Sequence, residues 1–273
     1  MWIELRGVQG NTEEYRGTQR SAGMELDKEK QEIYSRQIMM KDIGMKGQRK
    51  LAASSVLVVG CGGLGSPVLY YLTAMGIGHL GLCDGDMVSL PNLNRQTLFT
   101  LNDLFKPKAS TAKERLLALN PNLKTTVCDQ FMDKELAEAI MPVFDIVVDC
   151  LDNFEARFIL NDACVAAGKP LVHAGIGEYY GQLMTITPGK GPCLRCLFPN
   201  GVSEKEGKAS KQSGVIGPTP GVIGSMQALE AAKYLLGLKV SNDGLIIYDG
   251  LDMSLEKVPL LASPKCFCYS LHK

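Results

Sequence analysis

A glycine-rich segment, Gly60-Cys-Gly-Gly-Leu-Gly65, matches the pattern G-x-G-x-x-G of phosphate-binding loops. An apolar run typical of a buried strand precedes it and a predicted helix follows it, which is the context that such a loop requires. The glycines permit a tight turn and a close backbone approach to a phosphate, and the helix N-terminus offers free N–H groups. Asp84, at the end of the next predicted strand, is placed to accept hydrogen bonds from ribose hydroxyls. The predicted nucleotide-binding residues of this segment are Gly60, Gly62, Gly63, Gly65 and Asp84.

Charged and amide side chains accumulate after Asp84 and at two later positions. In a doubly wound sheet all of them lie at the carboxyl edge, around one crevice. Cations there offset the charge of phosphates, and a carboxylate can hold Mg²⁺. We therefore expect phosphoryl or nucleotidyl transfer, because an NAD-dependent oxidoreductase leaves Arg95, Lys108 and Asp152 unexplained. The predicted set comprises Asp86, Asn92, Arg95, Gln96, Lys108, Asp152 and Asn153.

Four of the nine cysteines form two close pairs, Cys193 with Cys196 and Cys266 with Cys268. Four thiolates in two pairs suit a tetrahedral structural Zn²⁺. The C-x-C spacing of the second pair is short and strains chelation, so that free thiols or a redox pair remain alternatives. The other five cysteines lie in apolar segments and are interpreted as small buried hydrophobic residues.

Composition narrows the classes of function. The 273 residues carry 29 Lys plus Arg and 29 Asp plus Glu, a balance that argues against general binding to nucleic acid or an anionic membrane. No apolar run approaches the roughly 20 residues of a membrane helix. The N-terminal segment has no apolar signal-peptide core, so a cytoplasmic location is expected.

The elements that position these residues alternate between strands and helices. This alternation predicts an α/β fold with a Rossmann-like, doubly wound parallel sheet. His79 and His173 lie in strand-like runs and are interpreted as structural. The predicted strands are 55–60, 79–84, 125–128, 145–149 and 170–174, and the predicted helices are 67–75, 108–119, 134–140 and 154–167.

The alternation stops after Gly177. Segments 182–187, 245–248 and 255–258 predict antiparallel C-terminal strands, and 222–236 predicts an amphipathic helix. Residues 199–221, rich in Gly, Ser, Lys and Pro, predict a long mobile loop. Residues 24–51 fit one or two amphipathic helices, and 1–23 a flexible N-terminal extension. We divide 24–273, a single domain, into a nucleotide-binding half at about 54–177 and a zinc- and partner-binding half at about 178–273.

With these residues in place, the sequence resembles the ThiF/MoeB/HesA family, relatives of the ubiquitin-activating enzymes. The resemblance covers roughly residues 28 to 268. Paired cysteines occur at these places in the family, which supports zinc, although the second pair there is normally C-x-x-C. The matching stretches are Tyr34–Ile38, Gly60–Gly65, Asp84–Gln96, Lys106–Lys108, Asp149–Asn153, Pro192–Cys196 and Gly221–Glu230.

The resemblance implies an adenylyltransferase that uses ATP and Mg²⁺. Such enzymes attack the α-phosphate of ATP with a carboxylate, giving an acyl-adenylate and pyrophosphate. The carboxylate usually belongs to the C-terminal glycine of a small ubiquitin-like protein that ends in Gly-Gly and carries sulfur. By the family's pattern, Asp84 holds the ribose and Asp152 holds Mg²⁺, while Arg36 reaches the ATP of the other subunit of a homodimer. The residues that contact phosphates in this pattern are Asn92, Arg95 and Lys108.

One position departs from the pattern of the relatives that form a persulfide or thioester. They often carry a cysteine before the segment that corresponds to Ser213–Gly217, and here Ser210 occupies that position. A serine hydroxyl is far less nucleophilic than a thiolate near neutral pH, so we expect the chain to stop at adenylation. Two alternatives to the ubiquitin-like substrate stay open. One is a small-molecule or peptide carboxylate as the acyl substrate, and the other is a non-catalytic scaffold that binds nucleotide and zinc.

Overall fold

The computed structural model describes residues 8–9, 26–203 and 214–270. Within them, nine strands form one mixed sheet in the order β1-β4-β3-β2-β5-β6-β7-β8-β9. The five strands from β2 to β6 are parallel to their neighbours in this group, and the C-terminal ones are antiparallel, as predicted. The strands are β1 (Val8–Gln9), β2 (Ser55–Val59), β3 (His79–Cys83), β4 (Lys124–Cys128), β5 (Ile146–Asp149), β6 (Leu171–Gly177), β7 (Tyr180–Ile186), β8 (Gly244–Asp249) and β9 (Ser254–Pro259).

Helices cover both faces of the parallel half. Alternate residues of β2 enter two separate apolar clusters, since Val56 and Val58 pack on one face and Leu57 and Val59 on the other. This two-sided burial explains why β2 is apolar at consecutive positions. The helices are α1 (Lys28–Ile33), α2 (Ser35–Ile38), α3 (Gly44–Ala52), α4 (Gly65–Ala74), α5 (Lys108–Leu119), α6 (Lys134–Ile140), α7 (Phe154–Ala166), α8 (Leu194–Leu197), α9 (Pro218–Leu236) and α10 (Phe267–Ser270).

Each face of the parallel half of the sheet packs against its own set of helices. Helices α4, α5 and α9 contribute to the cluster that contains Val56, whereas α6 and α7 contribute to the cluster that contains Leu57. Because β2 to β6 are parallel, their carboxyl ends lie at one edge of the sheet, and the loops that follow them meet there. This arrangement is the carboxyl edge at which the sequence predicts the site.

Two predicted elements differ from the structure. Residues 28–52 form three short helices rather than one or two, because Tyr34 lies between α1 and α2, and a turn at 39–43 leads into Gly44, the first residue of α3, whose φ is +57°. Helix α9 begins at Pro218, four residues before its predicted start at Val222. Proline is tolerated in the first turn of a helix, where N–H groups lack intrahelical partners, so Pro218 and Pro220 do not prevent it from starting there.

Parts of two predictions lie outside the described residues. Of the extension 1–23, the structure describes only Val8–Gln9, which pair antiparallel with β4. Of the predicted loop 199–221, residues 204–213 are outside, and Ser210 is among them. Among the residues that are described, no helix is long and apolar enough to cross a membrane.

Candidate functional site

A crevice of about 390 Å³ opens at the carboxyl edge of the parallel strands. It lies where the chain leaves β2, β3, β4 and β5, and most of the predicted nucleotide-binding residues line it. Gly65 and Asn92 do not line it, and neither does Arg36, which is exposed on α2. The predicted residues that the structure brings together here are Gly60, Gly62, Gly63, Asp84, Asp86, Arg95, Gln96, Lys108, Asp152 and Asn153.

The glycine loop is built by close backbone contacts. Gly60 has φ of +98°, and a Cβ there would lie 2.4 Å from the carbonyl oxygen of Cys150. A Cβ on Gly65 would lie 2.0 Å from the carbonyl oxygen of Gly60. Gly65 therefore supports the loop from behind, where α4 begins, and leaves the crevice wall to the other glycines. The loop and the N-terminus of α4 present N–H groups to an anion.

Asp84 is fixed by the backbone on both sides. Its Oδ2 accepts a hydrogen bond from Cys61 N–H at 2.7 Å, and its Oδ1 accepts one from Asp86 N–H at 2.8 Å. Burial raises the pKa of Asp84 above its ordinary value, while the charge of Lys108 acts in the opposite direction. Each oxygen keeps acceptor capacity for a ligand hydroxyl. The carboxylate is thus held in a single position at the end of β3, as a ribose-binding group requires.

The two predicted cations of the crevice, Lys108 and Arg95, are both engaged by oxygen atoms of the protein. Lys108 is buried at the start of α5, and its Nζ lies 2.9 Å from Oδ2 of the half-exposed Asp86. Nη1 of Arg95 donates to the carbonyl of Pro91 at 3.0 Å and to Oδ1 of Asn94 at 3.1 Å. Both side chains are positioned before any ligand arrives. A bound polyphosphate can compete with Asp86 for the ammonium group of Lys108.

Asp152 and Asn153 line the crevice where the chain leaves β5 and enters α7. Oδ1 of Asn153 accepts from Ala156 N–H at 2.9 Å and so caps α7. Its amide nitrogen lies 3.4 Å from Oδ1 of Asp152, whose side chain is exposed to the crevice. Carboxylate oxygens are hard ligands of the kind that Mg²⁺ prefers, and one or two of them suffice when phosphates of a substrate supply the others. The carboxylate of Asp152 therefore fits Mg²⁺ as a single protein ligand, because Oδ1 of Asn153 is engaged in capping α7.

Sequence reasoning missed Arg157, a buried cation on α7 that also lines the crevice. Its Nη2 donates to the carbonyl of Leu151 at 2.5 Å, and its Nε lies 3.9 Å from Asp149. The available signal was its place one helical turn after the cap residue Asn153, on the side of the helix that faces back toward the strand end. Phe131 and Met132 were also missed, although they follow the end of β4 and lie at the same sheet edge.

A second cavity, also of about 390 Å³, adjoins the crevice and shares Arg157 and Ile176 with it. It forms between the start of α7 and the antiparallel strands β6, β7 and β8. Its walls combine small and apolar residues with a few polar ones. They are Phe154, Arg157, Gly175, Ile176, Gly177, Glu178, Tyr180, Gly181, Gln182 and Ile247.

The four paired cysteines converge, as the spacing predicts. Their Sγ atoms all lie within 4.8 Å of one another, with Cys193 3.4 Å from Cys266 and Cys196 3.5 Å from Cys268. A tetrahedral zinc site with Zn–S bonds of about 2.3 Å needs sulfurs roughly 3.8 Å apart, so the set fits Zn²⁺. The shorter C-x-C spacing does not prevent convergence, because Cys266 and Cys268 bring their Sγ atoms to 3.3 Å.

Both histidines in the described part of the chain, His79 and His173, are buried. Nε2 of His79 contacts Oγ1 of Thr126 at 2.9 Å, and burial lowers the pKa of His79 to about 4. Nδ1 of His173 lies 2.6 Å from Oδ2 of Asp149. Burial lowers the pKa of His173, although its hydrogen bond with Asp149 acts in the opposite direction.

The chain is similar in sequence to one family of known proteins. A sequence model described as the ThiF family matches residues 34–269. The chain is 41% identical over 249 residues to a sulfur carrier protein adenylyltransferase of Thermus thermophilus, covering 89% of this chain and 92% of the relative. It is 41% identical over 244 residues to the SAMP-activating enzyme E1 of Haloferax volcanii, covering 89% and 90%. It is 40% identical over 234 residues to the ThiS adenylyltransferase of Escherichia coli, covering 85% and 92%.

Solved structures agree on the fold. Escherichia coli MccB crystallised with ATP superposes with a TM-score of 0.72 at 26% identity, covering 82% of this chain and 69% of that one. PaaA superposes with a TM-score of 0.74 at 22% identity, covering 89% and 78%. The match to PaaA shows likeness of fold alone.

Proposed function

Because this chain belongs to the ThiF family, we propose that it uses ATP to adenylate the C-terminal glycine carboxylate of a ubiquitin-like protein of the sulfur-carrier type. The products are an acyl-adenylate and pyrophosphate. The observation that carries the proposal is the convergence of Arg95, Lys108 and Asp152 on one crevice behind a phosphate-binding glycine loop. The relatives named as adenylyltransferases support the same reaction.

The nucleotide is oriented by fixed groups. The N–H groups of the glycine loop face the phosphates, and Asp84, already held by two backbone N–H groups, accepts from the ribose. Gln96, close to Gly62, and Asn153 line the same crevice and add amide groups. Mg²⁺, when bound at Asp152, would neutralise charge on the phosphate oxygens. Asn92 supports the preceding loop, since its Oδ1 accepts from Ser89 at 2.9 Å.

The reaction itself needs positioning and charge stabilisation. One oxygen of the substrate carboxylate bonds to the α-phosphorus, while the bond to the bridging oxygen breaks and its electron pair leaves with pyrophosphate. No general base is required, because a carboxylate is ionised at pH 7. Arg95 and Lys108 lie where charge develops on the phosphate oxygens, and such preorganised cations lower the barrier.

An exposed apolar surface supports a protein as the acyl substrate. Tyr180 and Ile247 of the second cavity are 42% and 37% exposed, and Val258, which the strand register places on the same face of the sheet, is 44% exposed. This face of the outer strands borders the second cavity, which shares Arg157 and Ile176 with the crevice. A folded partner can dock on this surface while its extended C-terminus enters through the cavity. Exposed apolar residues gathered on one face of a sheet are typical of interaction sites.

A small-molecule or peptide carboxylate is the second candidate substrate. The second cavity favours it, since about 390 Å³ beside the crevice can hold a compact acyl group without a docked protein. Both candidates use the same nucleotide chemistry. They differ in whether the outer apolar surface contributes to binding.

The four cysteines are proposed to hold a structural Zn²⁺. All four possible ligands are protein thiols, which leaves no open position for a substrate, as in structural rather than catalytic sites. The pairs join the segment after β7 to the C-terminal segment, because Cys193 and Cys196 lie 73 and 72 residues from their nearest partners. The metal would therefore tie two distant parts of the partner-binding half together.

Two further proposals concern assembly and the next step. A homodimer in which Arg36 reaches the partner's nucleotide agrees with its exposure on α2, outside the crevice of its own chain. Val215, which follows the undescribed residues 204–213, lines the crevice. Ser210 precedes it by five positions, and we expect the chain to stop at adenylation because a serine lacks thiolate reactivity.

The proposal is tested by ATP–pyrophosphate exchange in the presence of Mg²⁺, with and without Gly-Gly-tailed small proteins from the same source. We expect exchange that depends on such a protein and is lost in Asp152→Asn. Exchange supported by small carboxylates alone would favour the second candidate. ATP binding without exchange under any condition would overturn adenylation and indicate a scaffold.

A further inference from the structure

His173 and Asp149 form a hydrogen-bonded pair in the interior of the sheet. They face each other across the parallel strands β6 and β5, with Nδ1 of His173 2.6 Å from Oδ2 of Asp149, and neither side chain is exposed. An ionised carboxylate can only accept, so the shared proton belongs to Nδ1 of the imidazole. Nε2 of His173 has no hydrogen-bond partner in the described part of the chain.

The second oxygen of Asp149 reaches the turn that leads into the crevice. Its Oδ1 accepts a hydrogen bond from Leu151 N–H at 3.0 Å. The carbonyl of Leu151 accepts from Nη2 of Arg157 at 2.5 Å. The peptide groups of Leu151 are therefore held on both sides, and the residue that follows is Asp152.

We infer that His173 is a positioning residue for Asp152. By donating to one oxygen of Asp149, it fixes that carboxylate so that the other oxygen holds Leu151 N–H. The direction in which Asp152 enters the crevice follows from the position of Leu151. The inference rests on the role of Asp152 in the proposed function.

The chain supplies a matched control. His79 is equally buried on β3, but its Nε2 contacts Thr126 on β4, at the opposite end of its strand from the crevice. Replacing His79 removes an imidazole that is equally buried but contacts a hydroxyl and the ring of Phe144 instead of a carboxylate. A general loss of stability should therefore appear in both variants, whereas a loss of positioning should appear only in the variant at 173.

The experiment compares His173→Leu, His173→Asn and His79→Leu. Two readouts are measured: ATP–pyrophosphate exchange as a function of Mg²⁺ concentration, and hydrogen exchange of the Leu151 amide by NMR. We expect His173→Leu to lower the exchange rate about 10- to 100-fold, the range typical when the partner of a metal-binding group is lost. It should also raise the Mg²⁺ requirement and speed hydrogen exchange at Leu151. His173→Asn, which keeps an N–H donor, should recover most of the rate, and His79→Leu should leave both readouts unchanged.

A folded His173→Leu with native Mg²⁺ dependence and native protection of Leu151 would overturn the inference. If His173→Leu does not fold, NMR of the wild-type protein provides the test. The Nδ1 proton of His173 should resonate far downfield and move when MgATP is added, while the ring protons of His79 do not. A His173 proton that is unaffected by MgATP would overturn the inference. Full exchange in Asp152→Asn would instead refute the proposed role of Asp152.

Discussion

Gly65→Ala tests whether the glycine loop depends on the close approach between the start of α4, at Gly65, and the backbone of Gly60. The added Cβ would lie 2.0 Å from the carbonyl oxygen of Gly60 and 2.9 Å from its carbonyl carbon. Ordinary contacts of this kind begin near 3.4 Å, so the two backbone segments must separate by more than an ångström. Neither contact is with a flexible side chain that can rotate away. We expect a cost of about 1–3 kcal/mol in the free energy of unfolding, the usual penalty for an overfilled interior.

The separation also moves the backbone N–H groups that are proposed to bind the phosphates. A displacement of about 1 Å in a positioning element can cost about 100-fold in rate, so ATP–pyrophosphate exchange should fall by that order. Denaturant unfolding with an unchanged slope measures the stability loss, and the exchange assay measures the second effect.

Gly221→Ala is the control. Gly221 lies within α9 with nothing within 4 Å of its added Cβ, so alanine should stabilise the helix by about 0.5–1 kcal/mol. A Gly65→Ala protein whose stability and exchange rate match those of wild type would show that the loop tolerates the Cβ. The reasoning from the 2.0 Å contact would then be wrong.

Four further outcomes are expected. The purified protein should contain one zinc per chain, measured by elemental analysis, and Cys266→Ser should lower both the zinc content and the melting temperature; an unchanged content would contradict the site. Because the pKa of His79 is lowered to about 4 in the folded chain from its ordinary 6.5, the unfolded chain binds its proton first, and wild type should lose about 3 kcal/mol relative to His79→Gln between pH 6.5 and 4. If the free energies of unfolding of wild type and His79→Gln change equally across this pH range, the lowered pKa of His79 is refuted. If Arg36 acts across a dimer, mixing inactive Arg36→Ala and Asp152→Asn subunits should restore exchange, and continued inactivity in verified mixed dimers would argue against it. We interpret residues 203–212 as part of the surface that docks a protein substrate, so deleting them should raise the KM for that protein more than the Kd for ATP, whereas equal losses would count against this role.

The sequence alone predicts much of this protein because its signals are local. The alternation of apolar strands and helices indicates a doubly wound sheet, and the carboxyl ends of parallel strands necessarily share an edge. Residues placed directly after strands, such as Asp84 and Asp152, could therefore be assigned to one crevice. The start of α9 was misplaced because Pro218 and Gly221 read as loop residues, although proline is compatible with a first turn.

The tertiary structure decided which distant groups meet. Asp149 and His173 lie 24 residues apart and pair because β5 and β6 are neighbours in the sheet. Arg157 lies between the crevice and the second cavity because the start of α7 lies beside Gly175 of β6. Periodicity and turn chemistry act over a few residues, whereas strand order and helix packing set contacts between segments far apart in sequence. For this reason the glycine loop and its place at the crevice could be predicted from the sequence, and the buried network behind Asp152 could not.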